Sequence, residues 1–355
     1  MRKLVCVGLL LCFSAYLFAE KGKIGLQLGG GYGFSFTKTA LKGNELENNK
    51  DVAFIGANGI GFDGEINYGI TDSMTIGLGV GYLNRSKKYD TLDNDIDADY
   101  IPSTVGDVTT WTKDGLAGYY NDFTGNVEAK TSYIPITLNI RNSFDVGGKI
   151  KPYLGIGFGY FSPSDTELTI SQSGSETGKN ADGTINSIWE GNGSANVTVK
   201  NNGTLGYTGE VGLTYPLTDT VSLFAGARAT LVSFRPKSEK RTNSVTTIGK
   251  DPDGTINGKY VDNGTEEITY TDSKISGSNQ TVYWKTTTTT VGSVTTTVTE
   301  TRYENGDTLN DTFVTDTSGA YPVYTSTSVK NRKAYSEGDN PLDSVEGRIG
   351  ISFAF

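Results

Sequence analysis

Eight charged side chains, Asp63, Glu65, Arg141, Lys151, Glu210, Arg228, Glu346 and Arg348, occupy alternate positions in segments whose remaining positions are mostly apolar. Four acids and four bases on one side of extended chains can neutralise one another, and charges withdrawn from water need such partners. Asp63, Glu210, Arg228 and Arg348 each lie seven residues from a segment end, counted from Ile70, Leu217, Val221 and Phe355. That spacing predicts one layer of charge at a common height, with Glu210 beside Arg228. The reading is a structural ion-pair network across a narrow lumen, and its rival is a narrow ion pathway.

Other chemistry is sparse. The chain has no histidine, and its two cysteines, Cys6 and Cys12, both fall near the start. Serine–histidine and cysteine–histidine catalysis and the usual zinc sites are therefore excluded. Nothing places a carboxylate pair in a substrate cleft, so no catalytic residue and no enzyme is expected. The run "DNDIDAD" sets Asp93, Asp95, Asp97 and Asp99 at alternate positions, as oxygens stand in a calcium loop. Its sixth position is Ala98 rather than glycine and its twelfth Thr104 rather than glutamate. Calcium is thus the one cofactor suggested, against a solvated acidic loop.

The elements that must position these charges alternate with period two. Residues 22–36 set Ile24, Leu26, Leu28, Tyr32, Phe34 and Phe36 against Gly25, Gln27, Gly29, Gly31, Gly33 and Ser35. Seven more segments, about 52–70, 74–85, 131–144, 150–161, 205–217, 221–235 and 345–355, repeat the pattern, with the charges on the glycine-rich face. Two such different faces imply two solvents, which a soluble sandwich with a polar outer face does not need. With 46 glycines, 20 tyrosines and 15 phenylalanines, and no second apolar run of helical length, a membrane would be crossed by strands.

Tight connections alternate with long ones at 37–51, 86–128, 162–204 and 237–344, which are expected to be exposed loops. The fold class is therefore all-β, an eight-stranded antiparallel up-and-down transmembrane β-barrel with long extracellular loops. Tyr68, Phe144, Tyr215, Phe353 and Phe355 would form one aromatic girdle, and Tyr32, Phe34, Phe54, Tyr82 and Tyr160 the other. Pro135 and Pro152 fit less well, since each removes a ladder hydrogen bond. "DGTIN" occurs at Asp182–Asn186 and at Asp253–Asn257, suggesting related turns. The threonine-rich runs around Gly292-Ser293 predict a hairpin above the membrane rather than a ninth and tenth stave, because Thr286 to Thr290 would make a poor lipid face.

"YIPITLNIRNS" (Tyr133 to Ser143), "KPYLGIGFGYF" (Lys151 to Phe161) and the terminal "GRIGISFAF" resemble strands of the small outer-membrane barrels of OmpA, OmpX and OmpW type. The resemblance spans the eight strands and none of the long connections, and no periplasmic domain is expected. It implies that Phe353 and Phe355 belong to the signal read by the barrel assembly machinery.

Arg2 and Lys3 precede an apolar run from Leu4 to Ala19, which reads as a signal peptide cut after Ala19, although Leu17 is large for its place. A retained anchor is disfavoured because the run is short of a spanning helix. A lipoprotein is disfavoured because Leu11 before Cys12 is not small. The formal net charge of −9 argues against nucleic acid as a partner. Residues 20–355 are expected in a cell outer membrane, with both termini periplasmic and the acidic loops outside. Three functions remain: a surface interaction or adhesion protein meeting host or cell-surface ligands through its loops, a small channel or transporter, and a purely structural component.

Overall fold

Alternating apolar and small residues extend the chain because each face of a strand then meets one environment. The computed structural model describes residues 22–36, 40–41, 52–53, 57–93, 96–105, 108–162, 165–272, 278–335 and 340–355. Side chains are not described at 40, 41, 52, 53, 89–121 and 340. Eight strands form a closed antiparallel barrel: β1 (Ile24–Ser35), β2 (Asn58–Gly69), β3 (Met74–Asp93), β4 (Pro135–Ser143), β5 (Lys151–Phe161), β6 (Thr204–Pro216), β7 (Val221–Phe234) and β8 (Ser344–Ala354). Each stave pairs with the next, and β1 closes the ring against β8 through the register Gly25↔Ala354 to Ser35↔Ser344.

Short turns occupy one end. Thr71 Oγ1 accepts from the Ser73 and Met74 amides, and Thr218 Oγ1 repeats this with Thr220 and Val221. In the third turn Asp145 accepts from the Gly147 amide, and Gly147 has φ +79°, a conformation that only glycine adopts without strain. Both prolines sit where the ladder tolerates them. Pro135 lies opposite Gly81 at the gap where β3 stops pairing with β4 and turns to the preceding strand. Pro152 lies near the turn end of β5, where its carbonyl accepts from Phe144 N at 2.8 Å.

The long connections are where the expectation fails. Most of 86–128, 162–204 and 237–344, expected as loops, is strand. The upper half of β3 pairs with Val108–Tyr133, which runs through Ile134 into β4 and also pairs with Ile96–Val105. Val108–Tyr133 also pairs with Asp165–Lys179, then come Ile185–Asn201, Pro236–Lys250 and Ile256–Thr271. Next in the sheet are Val323–Tyr335, Thr308–Asp316, Val294–Tyr303 and Thr281–Val291. The pair Ile256–Thr271 with Val323–Tyr335 is parallel, unlike every rung of the barrel.

Staves β3 to β7 thus continue upward as an open wall, and among the described residues β1 and β2 have no such continuation. The fourteen rungs from Thr131↔Thr166 to Gly118↔Lys179 raise it about 45 Å at ~3.4 Å per residue. These segments read as loops because both faces are rich in threonine, serine, asparagine and glycine. With polar groups on both sides, a search for one apolar face sees nothing. Of connection 37–51, only Ala40–Leu41 is described as strand, pairing with Val52–Ala53.

Candidate functional site

Inside the barrel, seven of the eight charges expected to line the lumen converge. Arg228 binds Glu210 through Nη2 at 2.8 Å and Nε at 3.2 Å, and its Nη1 lies 3.6 Å from Asp63. Arg348 bridges Asp63 and Glu210, the latter at 2.6 Å. Arg141 Nη groups reach Glu65 and Glu210, each at 3.6 Å. Glu346 pairs with Arg85 at 3.4 Å. Glu65, Glu210, Glu346, Arg85 and Arg348 are buried, which a charge tolerates only when partnered this closely.

Neutral groups complete the layer. Tyr153 Oη donates to Glu210 at 2.6 Å, Asn139 Nδ2 to Glu65 at 2.7 Å and Arg141 Nη1 to Gln27 at 2.5 Å. The Arg141 guanidinium also lies over the Tyr153 ring at 4.9 Å, and that of Arg348 over Phe224 at 5.4 Å. The alternating glycines make the room. A Cβ at Gly31 would stand 2.3 Å from Glu346 Oε1, and one at Gly77 2.5 Å from Glu65 Oε1.

Lys151, expected in the network, stands apart from it. It is exposed at the turn end of β5 and forms no ion pair among the described residues, because the strand starts there and the side chain reaches water instead of the lumen. Arg85 takes its place in the count, keeping four acids against four bases. Its position was readable in principle, since it shares parity with Gly77, Gly79 and Gly81 on β3. It lies at the last position of the expected strand 74–85, where alternation has no following residue to support it.

Above the charges sits an apolar cap that alternation alone did not suggest. Ala57, Leu83, Tyr133, Phe161, Val232, Phe234 and Leu342 are buried together. Tyr133 packs on Phe161 at 5.8 Å and on Phe234 at 5.5 Å between ring centroids. These bulky residues point inward only near the upper ends of the staves, where glycine gives way to large side chains. Between cap and charges remains a cavity of ≈ 20 Å³ lined by Asp63, Glu65, Asn139, Thr208 and Arg228 among others. That is room for one or two waters.

The wall carries a second polar cluster on the face continuous with the lumen. Arg241 pairs with Glu239, which also accepts from Tyr270 Oη at 2.6 Å. Glu266 takes Arg332 at 3.2 Å and Lys330 at 3.7 Å. Burial, then the Glu239 carboxylate, pushes the Tyr270 phenol above its ordinary range. Burial works against the charge on Arg241, but Glu239 and Glu266 outweigh it and hold the guanidinium more firmly protonated.

Higher up, the two "DGTIN" turns are built alike. Asp182 and Asp253 accept from the amides of Thr184 and Thr255, both at 2.9 Å, and Gly183 and Gly254 each have φ +85°. Asn186 and Asn257 reach back to Asn180 and Asp251. They cap neighbouring hairpins of the wall. Asp95 and the side chains of Asp93, Asp97 and Asp99 lie outside the described residues. Among the described residues no group of three acidic, histidine or cysteine side chains could hold a metal.

No family model and no curated protein matches the chain. Among solved structures it is similar to the translocator domain of autotransporter NalP from Neisseria meningitidis, at 12% identity and TM-score 0.21, over 94% of this chain and 89% of that one. It is also similar to the outer membrane channel DcaP of Acinetobacter baumannii, at 10% identity and TM-score 0.11, over 95% and 100%. The barrel described above rests on its own strand pairing.

Proposed function

We propose that this chain crosses a bacterial-type outer membrane as a plugged eight-stranded barrel and displays the wall outside the cell as an interaction surface. The observation that carries the reading is the division of labour between lumen and exterior. The lumen is filled by paired charges under an apolar cap, whereas a ten-strand extension and the upper half of β3 stand clear of the barrel.

Support for membrane insertion comes from the barrel's outer face. Leu28, Phe62, Leu78, Ile156, Tyr207 and Ile349 are between 44% and 71% exposed, and a continuous apolar belt of this kind is unfavourable in water. Tyr68, Phe144 and Tyr215 near the short turns, and Tyr32, Phe34, Tyr82 and Tyr160 toward the wall, are also exposed. They stand where aromatic girdles meet the two membrane surfaces. In this reading residues 1–19 are removed on export and the short turns face the periplasm. Phe353 and Phe355, stacked at 6.4 Å, serve the assembly machinery.

Single-channel recording on protein refolded in a planar bilayer tests the plug. Silence together with an intact, heat-modifiable barrel is expected. A large, steady conductance that collapses with Arg228→Ala would replace this reading with a channel.

A further inference from the structure

The wall ends in a bare edge. Thr281–Val291 pairs with Val294–Tyr303 on one side, pairs with no strand on the other among the described residues, and is exposed along all eleven positions. Such an edge presents a row of free backbone donors and acceptors, and proteins ordinarily blunt it with proline, charge or a bulge. Here "TVYWKTTTTTV" contains no proline and a single charge, Lys285, and its one register shift lies at the lower end, between Thr281 and Tyr283, away from the threonine run. Its β-branched and aromatic composition favours further strand pairing.

We infer that this edge pairs antiparallel with the same edge of a second copy of the chain, joining molecules in two facing membranes. The inference deepens the proposed display function and rests on it. The argument is self-complementarity. When Thr288 lies opposite Thr288, the five threonines from Thr286 to Thr290 face one another, because the run is the same read in either direction.

The molecule already forms such rungs. Hydroxyl pairs join Thr286 to Thr299 at 3.0 Å, and Thr288 to Thr297 and Thr290 to Thr295 at 3.1 Å. Antiparallel pairing about an axis normal to the sheet keeps even-numbered side chains on one face, so the hydroxyl ladder runs on across the junction. Charge agrees. Lys285 falls opposite Val291 and two copies of a chain with net charge −9 meet along an otherwise neutral strand. Trp284, 66% exposed, comes beside Gly292 of the second copy, where no side chain obstructs it.

Topology then sets the geometry of the contact. The hairpin tip at Gly292-Ser293 lies at the end away from the barrel, since the opposite end of Val294–Tyr303 joins the level of Asn331 and Glu267 lower in the wall. Antiparallel pairing reverses the second copy, so its barrel points the other way. Two copies in one membrane cannot meet this register.

The test uses residues 20–355, which contain no cysteine, refolded into two vesicle populations with different lipid dyes and protein tags. Thr288→Cys places two sulfurs on directly opposed residues with Cα atoms about 5 Å apart, within disulfide reach. Thr286→Cys leaves its pair about 13 Å apart along the strands and is the control. The expected result is vesicle clustering and a band of doubled mass carrying both tags, for Thr288→Cys only. Thr286→Pro, which removes an outward-pointing edge donor because even positions form the non-hydrogen-bonded pairs of the hairpin, is expected to abolish clustering while leaving the barrel heat-modifiable. Dispersed vesicles with monomeric Thr288→Cys would overturn the pairing while leaving the display reading intact. Dimers formed only within one population would overturn the facing-membrane arrangement. Conductance would instead strike the plug.

Discussion

Barrel and wall are made of the same hydrogen-bonded ladder, yet they solve opposite problems. The barrel has no edge, and its two faces differ as strongly as lipid differs from buried charge. The wall has two polar faces and, along Thr281–Val291, a bare edge. Closure lets the barrel enclose Arg348, Arg228 and Glu210 away from water, where removing one partner strands another. Openness leaves most of the wall's pairs half in water, where each contributes less. What the contrast teaches is that one sheet can be rigid where it closes and adaptable where it ends.

The sharpest way to break the contrast is Arg348→Ala. It removes the side chain bridging Asp63 and Glu210 and is expected to cost roughly 3–5 kcal/mol, read as a lowered heat-modifiability midpoint. A barrel as stable as before would mean the network contributes little. Gly31→Val comes next, because its Cβ would stand 2.5 Å from Gly347 O as well as against Glu346. Overpacking of this kind costs about 1–3 kcal/mol, and refolding yield should fall with it.

Glu239→Gln should spare the barrel and loosen the wall by roughly 1 kcal/mol, since Tyr270 and Arg241 lose a charged partner. Limited proteolysis that cuts within 236–271 while staves stay protected would sharpen the distinction; equal sensitivity in both regions would erase it.

The smallest effect belongs to the tips. The hydroxyl and amide of Thr184 hold the pKa of Asp182, and the amide and hydroxyl of Thr255 that of Asp253, below the ordinary 3.8. A depressed carboxylate contributes stability above its unfolded pKa and loses it as pH falls through the folded one. Amide protection at residues 180–186 and 251–257, measured against the intrinsic exchange rate at each pH, should therefore fall below about pH 3.8 while the barrel remains closed.

Alternation made the staves legible, because a strand between two solvents must write both of them into its side chains. Glu210 and Arg228 were also legible as neighbours, since a short turn joins β6 to β7 and their distances from it match. Arg85 was harder, and its pairing with Glu346 harder still, because the two are 261 residues apart and are brought near only when β8 closes on β1 and β2. The apolar cap has no periodic mark of its own, since it consists of single residues from the ends of several staves.

What the sequence determined by itself is the number of staves, the face each residue takes and the balance of the enclosed charges, all of which follow from local alternation. What only the tertiary structure decided is how far the staves continue, which strand joins the sheet in parallel and where the sheet stops. Those features follow from pairing between distant segments, because a strand wet on both faces carries no label of its neighbour. Its place is set by the register that the closed barrel hands upward.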